Sequence, residues 1–272
     1  MGFFGFGDFN KEGPGVDINA PKKRRIFQFF DLYIEKFSKL VFINLLFVAC
    51  AAVCIGLYTL IYKLTSLSFV AMAAFIPILV PVCALSKLTK KIACDEPVFI
   101  FSDFLDAMKN NWKQGLLIGV MDYPFVLLFS LIFSFYFENF SSDIFFIICA
   151  AFTVILALYF CFMQIYLPLF AVSFELSFID LIKNAAIFSV INLKSNFLVV
   201  IVGGIMAFLA ALSFELVETP LYSGIAVLVL VITAFSLLSF IANFSAWPKV
   251  YELLVKPNIE PEELDEQYED DN

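Results

Sequence analysis

Residues 144–174 read IFFIICAAFTVILALYFCFMQIYLPLFAVSF, and no charge interrupts them between Asp143 and Glu175. At 1.5 Å of rise per residue such a helix is about 46 Å long, against a hydrocarbon core of roughly 30 Å. A run this long and apolar has no place on the surface of a soluble domain. It predicts a membrane span that either tilts or breaks near Pro168, where the ring removes a backbone donor. Working outward, five more apolar runs of comparable length occur at 40–62, 67–85, 116–137, 197–214 and 222–247. Composition agrees, since 62% of the 272 residues are hydrophobic and only 15% are charged. Soluble chains average about 45–50% apolar. The fold class expected is all-α: a polytopic membrane helix bundle of about six transmembrane helices, arranged as three hairpins with cytoplasmic interfacial helices.

Charge divides the chain further. Eight acids lie beyond Lys256, from Glu260 to Asp271. Taking those eight from the 25 acids leaves as many acids as the 17 Lys+Arg, so the net charge of −8 belongs to the tail. Three regions follow: a Gly/Pro/basic N-terminal segment (1–25), a six-span membrane domain (26–255) and an acidic tail (256–272) whose composition predicts disorder. No basic face suggests nucleic acid. Seven basic residues precede the first span, five lie between spans two and three, two between four and five, and two after six; only Lys63 is left for the other side. By the positive-inside rule both termini are cytoplasmic. The first span starts too late and runs too long for a cleaved signal peptide, and Phe47-Val48-Ala49-Cys50 is a poor lipoprotein box. The connections on the outer side are a handful of residues each, so partner contact or chemistry is expected on the cytoplasmic side or inside the bundle.

The chain has no histidine, which removes imidazole metal sites and the familiar Ser-His-Asp and Cys-His nucleophiles together. Five of the six cysteines lie in apolar runs, where Cys acts as a small hydrophobe. Cys94 alone sits among polar residues, and no CxxC or phosphate-binding loop occurs. No cofactor or metal is implied, and a non-enzymatic protein is expected.

Each span that leaves the cytoplasm is preceded by a similar opening: Phe29-Phe30-Asp31-Leu32, Phe101-Ser102-Asp103-Phe104 and Phe178-Ile179-Asp180-Leu181. In the second, Val98, Phe101, Leu105, Met108 and Trp112 recur at helical spacing as one apolar face. The pattern reads either as three repeats of an interfacial helix that turns up into a hairpin, or as chance recurrence in a Phe-rich chain. Asp31, Asp103 and Asp180 are the candidate cytoplasmic partner contacts.

Inside the membrane Asp122 stands out, seven residues and about 10 Å beyond Gly115. A carboxylate there must face protein or water. It either binds a cation, a proton or a substrate, or it hydrogen-bonds a neighbouring helix. Asn44, Gln164 and Asn243 complete the candidate intramembrane polar site, as the lining of a polar cavity or as interhelical ties. Gly115 with Gly119, and Gly203 with Ala207 and Ala211, predict close helix approach. Glu138, Asp143, Glu215 and Glu218 make the outer rim mildly acidic.

Met1-Gly2-Phe3-Phe4-Gly5, the stretch from Val98 through Phe104, Ala107, Lys109, Asn110 and Trp112 to Lys113-Gln114-Gly115, and Leu167-Pro168-Leu169 followed by Leu181-Ile182-Lys183-Asn184-Ala185 resemble the YesL-like family of small polytopic bacterial membrane proteins, a domain of unknown function. The likeness is densest over 101–115 and 166–184. The acidic tail and the lead-in over 5–21 depart from it. The resemblance implies a bacterial plasma-membrane protein encoded beside carbohydrate uptake and breakdown genes, with no catalytic residues to carry over. Two functions are therefore expected in competition: an accessory or regulatory component of a membrane transporter complex linked to carbohydrate uptake, or an independent secondary transporter or permease that uses Asp122.

Overall fold

The computed structural model describes residues 24–139, 143–215 and 220–258; the side chains of 213–215, 220–227, 230 and 258 are outside that set. Residues 1–23, the rim residue Glu218 and all eight acids of the tail lie outside the described residues, as does the Glu215 side chain.

Helices make up the described fold, and no strand occurs among the described residues. Helix α1 (Arg25–Glu35) leads through Lys36 into α2 (Phe37–Thr65), which stops at Ser66 in the left-handed region (φ 56°). A composite span returns: α3 (Ser68–Met72), a 3-10 segment (Ala73–Ile78) and α4 (Leu79–Ala93). Pro77 and Pro81 explain its irregularity, because each ring deletes one donor from the helical ladder. Helix α5 (Ile100–Glu138) and α6 (Ile144–Ser173) form the second hairpin. Helix α7 (Phe178–Ile191) turns through Asn192 into α8 (Leu193–Glu215), and α9 (Pro220–Val250) closes the third. A π turn (Tyr251–Val255) and a short 3-10 turn (Lys256–Asn258) follow. Six helical segments are long and apolar enough to cross a membrane. The chain is a multi-pass membrane helix bundle in three hairpins.

Two expectations change in detail. Helix α6 runs unbroken through Pro168 to Ser173, so its excess length leaves tilt or protrusion as the accommodation. The second amphipathic segment does not turn into a separate span, because α5 is one helix of 39 residues. Breaks occur only at Lys36 and Asn192, before the first and third hairpins. Of the apolar face read ahead of the second hairpin, Val98 precedes α5 and is buried, whereas Phe101, Leu105 and Trp112 are exposed; Phe104 and Ala107 of the same helix point in. In a bilayer setting the outward Phe, Leu and Trp meet lipid or the interface, where aromatic rings are at home.

Helix α4 is the hub, packed against α2, α5, α6 and α9. One core gathers Cys83, Ile118, Tyr166, Leu169 and Phe170 with α7 and α9 residues; the second joins Leu40, Ile43, Leu85, Leu88 and Phe104 to Phe240. The glycine pair on α5 makes a close approach to the returning span. A Cβ on Gly115 would lie 2.9 Å from the Val80 Cα, and one on Gly119 would collide with the Ile76 carbonyl oxygen. Backbone meets backbone there, as small residues at four-residue spacing allow.

Polar contacts show which helix ends lie together. Lys36 pairs with Asp95 at 3.0 Å, Lys90 donates to Ser173 Oγ at 3.2 Å and sits 3.5 Å above the Trp247 ring, and Arg25 donates to the Phe244 carbonyl. The start of α2 and the ends of α4, α6 and α9 thus share one basic end of the bundle.

Candidate functional site

The four intramembrane polar residues are divided by the fold among three interhelical ties. Gln164 on α6 donates from Nε2 to Asp122 Oδ1 on α5 at 2.8 Å. Asn44 on α2 spans the α9 backbone, donating to the Val231 carbonyl at 2.6 Å and accepting the Ser236 N–H at 2.8 Å. Asn243 on α9 donates to the Ser86 carbonyl at 3.0 Å and to Thr89 Oγ1 at 2.7 Å, both on α4. Thr89 Oγ1 lies 2.8 Å from Ser239 Oγ one turn away. Asn44, Thr89 and Asn243 are buried, so each of these amides and hydroxyls would be costly without its partner.

Two of the four line a common space. Gln164 and Asn243 line one cavity of about 610 Å³ between α2, α4, α6, α8 and α9, with Asp122 attached behind Gln164. Ser86 and Ser239 add hydroxyls to it; Phe47, Leu85, Val199 and Leu238 make most of the remaining wall apolar. Pro168 also lines the cavity, and its ring leaves the Gln164 carbonyl without the N–H that a helix would supply four residues on. Asn44 belongs to a separate contact. Gly203, Gly204 and Ala207 border the space from α8, so that part of the small-residue stripe faces a cavity. Around Gly204 nothing approaches within 4 Å of a built Cβ.

A further tie escaped the sequence reading. Tyr166 on α6 donates to Asn196 Oδ1 at 2.7 Å, and Asn196 Nδ2 donates to the Ser189 carbonyl at 2.9 Å. The asparagine takes up a carbonyl at the end of α7, one of those a helix C-terminus leaves unpaired, and so fixes the α7–α8 turn. The signals available were Ser86-x-x-Thr89 facing Ser239-x-x-x-Asn243, which put polar groups on one face of each of two apolar helices. For Asn196 the sequence carries only a polar residue at a span entry.

The three aspartates of the repeated opening have different surroundings. Asp103 accepts the Phe99 N–H at 3.1 Å and pairs with Lys91 at 3.0 Å, closing the start of α5. At α7 the Asp180 N–H donates to Ser177 Oγ at 3.2 Å, while the Ser177 hydroxyl donates to Asp180 Oδ2 at 2.6 Å. This is an N-cap arrangement. Asp31 lies on the exposed side of α1. Where Lys36 separates α1 from α2, hydrogen bonds to Glu35 and Asp95 raise its pKa above the ordinary lysine value.

Among the described residues no three Cys, Asp or Glu side chains gather as a metal site. Cys94 is exposed. No protein-family model matches the chain, and neither a curated protein nor a solved structure matches it.

Proposed function

We propose that the protein is a non-enzymatic accessory or regulatory component of a membrane transporter complex, held in a bacterial plasma membrane with both termini in the cytoplasm. The observation that carries this reading is how the intramembrane polar groups are used. Asp122, Gln164, Asn44 and Asn243 all bond across helices, and the cavity that Gln164 and Asn243 border has a mostly apolar wall. A hydrated solute needs a continuous polar lining to replace its water shell. Interhelical bonds of this kind instead hold a bundle in register. The gathering of Arg25, Lys36 and Lys90 at one end of the bundle supports the cytoplasmic placement of that end. The link to carbohydrate uptake rests on the YesL-like resemblance.

A permease is the competing reading, favoured by one observation: Asp122 is tied to a residue that lines the cavity. The test is quantitative mass spectrometry of tagged protein purified from its native membrane in mild detergent. Stoichiometric recovery of transporter subunits, retained in Asp122→Asn, is the expected result. Recovery of the protein alone at a defined size contradicts it.

A further inference from the structure

Beside the central cavity, α1, α8 and α9 enclose a second crevice of about 470 Å³ at the basic end of the bundle, within the size range of ordinary ligand pockets. Two cations, Arg25 at the start of α1 and Lys194 at the start of α8, line it together with the apolar Phe29, Leu198, Val202 and Ile241. Lys194 and Val202 are eight residues apart on α8, so the apolar wall extends about 12 Å from the cations. Leu198 remains 49% exposed and Ile26 69% exposed, which leaves the crevice open sideways to the bilayer.

The position of Arg25 follows from the sequence of α9. Pro248 has no N–H to give the Phe244 carbonyl four residues earlier. Arg25 Nη2 supplies that missing donor, and its guanidinium lies 5.2 Å from the Phe244 ring centroid. Phe29, one turn on, packs on Phe240 and Phe244 with centroids 5.2 and 5.4 Å away. Among the described residues no carboxylate comes within ion-pair distance of Arg25 or Lys194. Two cations above an apolar slot that opens to lipid complement an amphiphile with an anionic head.

We propose that this crevice seats an anionic glycerophospholipid, its phosphate at Arg25 and Lys194 and one acyl chain along Leu198 and Val202. The acidic tail of the chain matches the cations but not the slot, since 259–272 carries only Ile259, Leu264 and Tyr268 as sizeable apolar residues. The proposal stands independently of the accessory reading, and it assigns a lipid rather than a protein to this surface.

The test is native mass spectrometry of the full chain, delipidated in detergent and titrated with phosphatidylglycerol or with phosphatidylcholine of the same acyl chains. Phosphatidylglycerol is expected to bind more tightly. Each basic side chain near an anionic lipid contributes about a factor of five. Lys194→Gln, at an exposed position, should therefore weaken binding about fivefold, and Arg25→Gln with Lys194→Gln about 30-fold. Leu198→Trp, which fills the slot and leaves both charges, should also weaken it, whereas Lys183→Gln outside the crevice should not. Equal binding of phosphatidylcholine, or unchanged affinity in Lys194→Gln, overturns the proposal. So does glycerol 3-phosphate binding as tightly as the lipid, which would make this a plain anion site. Lipid binding that emerges only when 259–272 are removed would make the tail the occupant and overturn it as well.

Discussion

Replacing Gly119 with alanine adds one methyl group where α5 meets the backbone of the returning span. That carbon would fall on the Ile76 carbonyl oxygen, with the Ile76 carbonyl carbon at 3.0 Å and its Cα at 3.2 Å. All three atoms are backbone, so no side chain can rotate away. Ile76 belongs to the 3-10 segment between α3 and α4, beside Pro77, and α5 must move outward to relieve the clash. Overpacking of this kind costs about 1–3 kcal/mol, offset in part by the 0.5–1 kcal/mol that alanine adds to a helix over glycine. A net loss of about 1–2 kcal/mol lowers Tm by roughly 2–8 °C in a chain of this size. Thermal unfolding in detergent, followed by the exposure of buried thiols such as Cys83, measures it. Gly56→Ala is the matched control: nothing lies within 4 Å of its built Cβ, and it should be neutral or slightly stabilising. A Gly119→Ala protein as stable as the Gly56→Ala protein would refute the backbone contact.

Three further outcomes follow from the polar ties and the basic end. Asn243→Leu leaves Thr89 and the Ser86 carbonyl without their amide donor and should cost about 1–3 kcal/mol in the same unfolding assay. A double-mutant cycle on Asp122→Ala and Gln164→Ala should return a coupling of about 0.6–1.7 kcal/mol, with strict additivity arguing against the 2.8 Å bond. Lys36 has a raised pKa because Glu35 and Asp95 favour its charged form. Its stabilisation is therefore complete below the ordinary lysine pKa and is lost as pH rises through the higher value of the fold. Unfolding temperatures taken from neutral to strongly alkaline pH should fall less steeply in Lys36→Met than in the wild type.

The spans were legible because apolar runs have to pair with bilayer thickness, and the glycine pair was legible because close approach needs small residues at fixed spacing. Proline was harder to read. Pro168 and Pro124 sit inside unbroken helices, while Pro77 and Pro81 accompany a 3-10 segment; which outcome prevails depends on what neighbouring helices offer the freed carbonyls. The continuity of α5 was hidden for a related reason, since the change from polar to apolar residues near Gly115 marks the entry into lipid and not a break in hydrogen bonding. At the candidate site, the type of residue was visible but the partner was not. Asp122 meets Gln164 across 42 positions of sequence and Arg25 meets Phe244 across 219, and local pattern carries no information about pairings so distant. Pro248 does foreshadow the second contact, because a missing N–H implies a carbonyl in need of a donor.

The role proposed for the intramembrane polar residues is to tie helices together and not to line a path. Solute flux tests it most directly: purified protein reconstituted into liposomes, with mono- and disaccharide uptake followed under an imposed proton gradient, for the wild type and Asp122→Asn. Uptake no faster than in protein-free liposomes is expected for both proteins, with Asp122→Asn still folded at the wild-type oligomeric size. Saturable uptake by the wild type that disappears in a folded Asp122→Asn protein would contradict it and establish the permease reading.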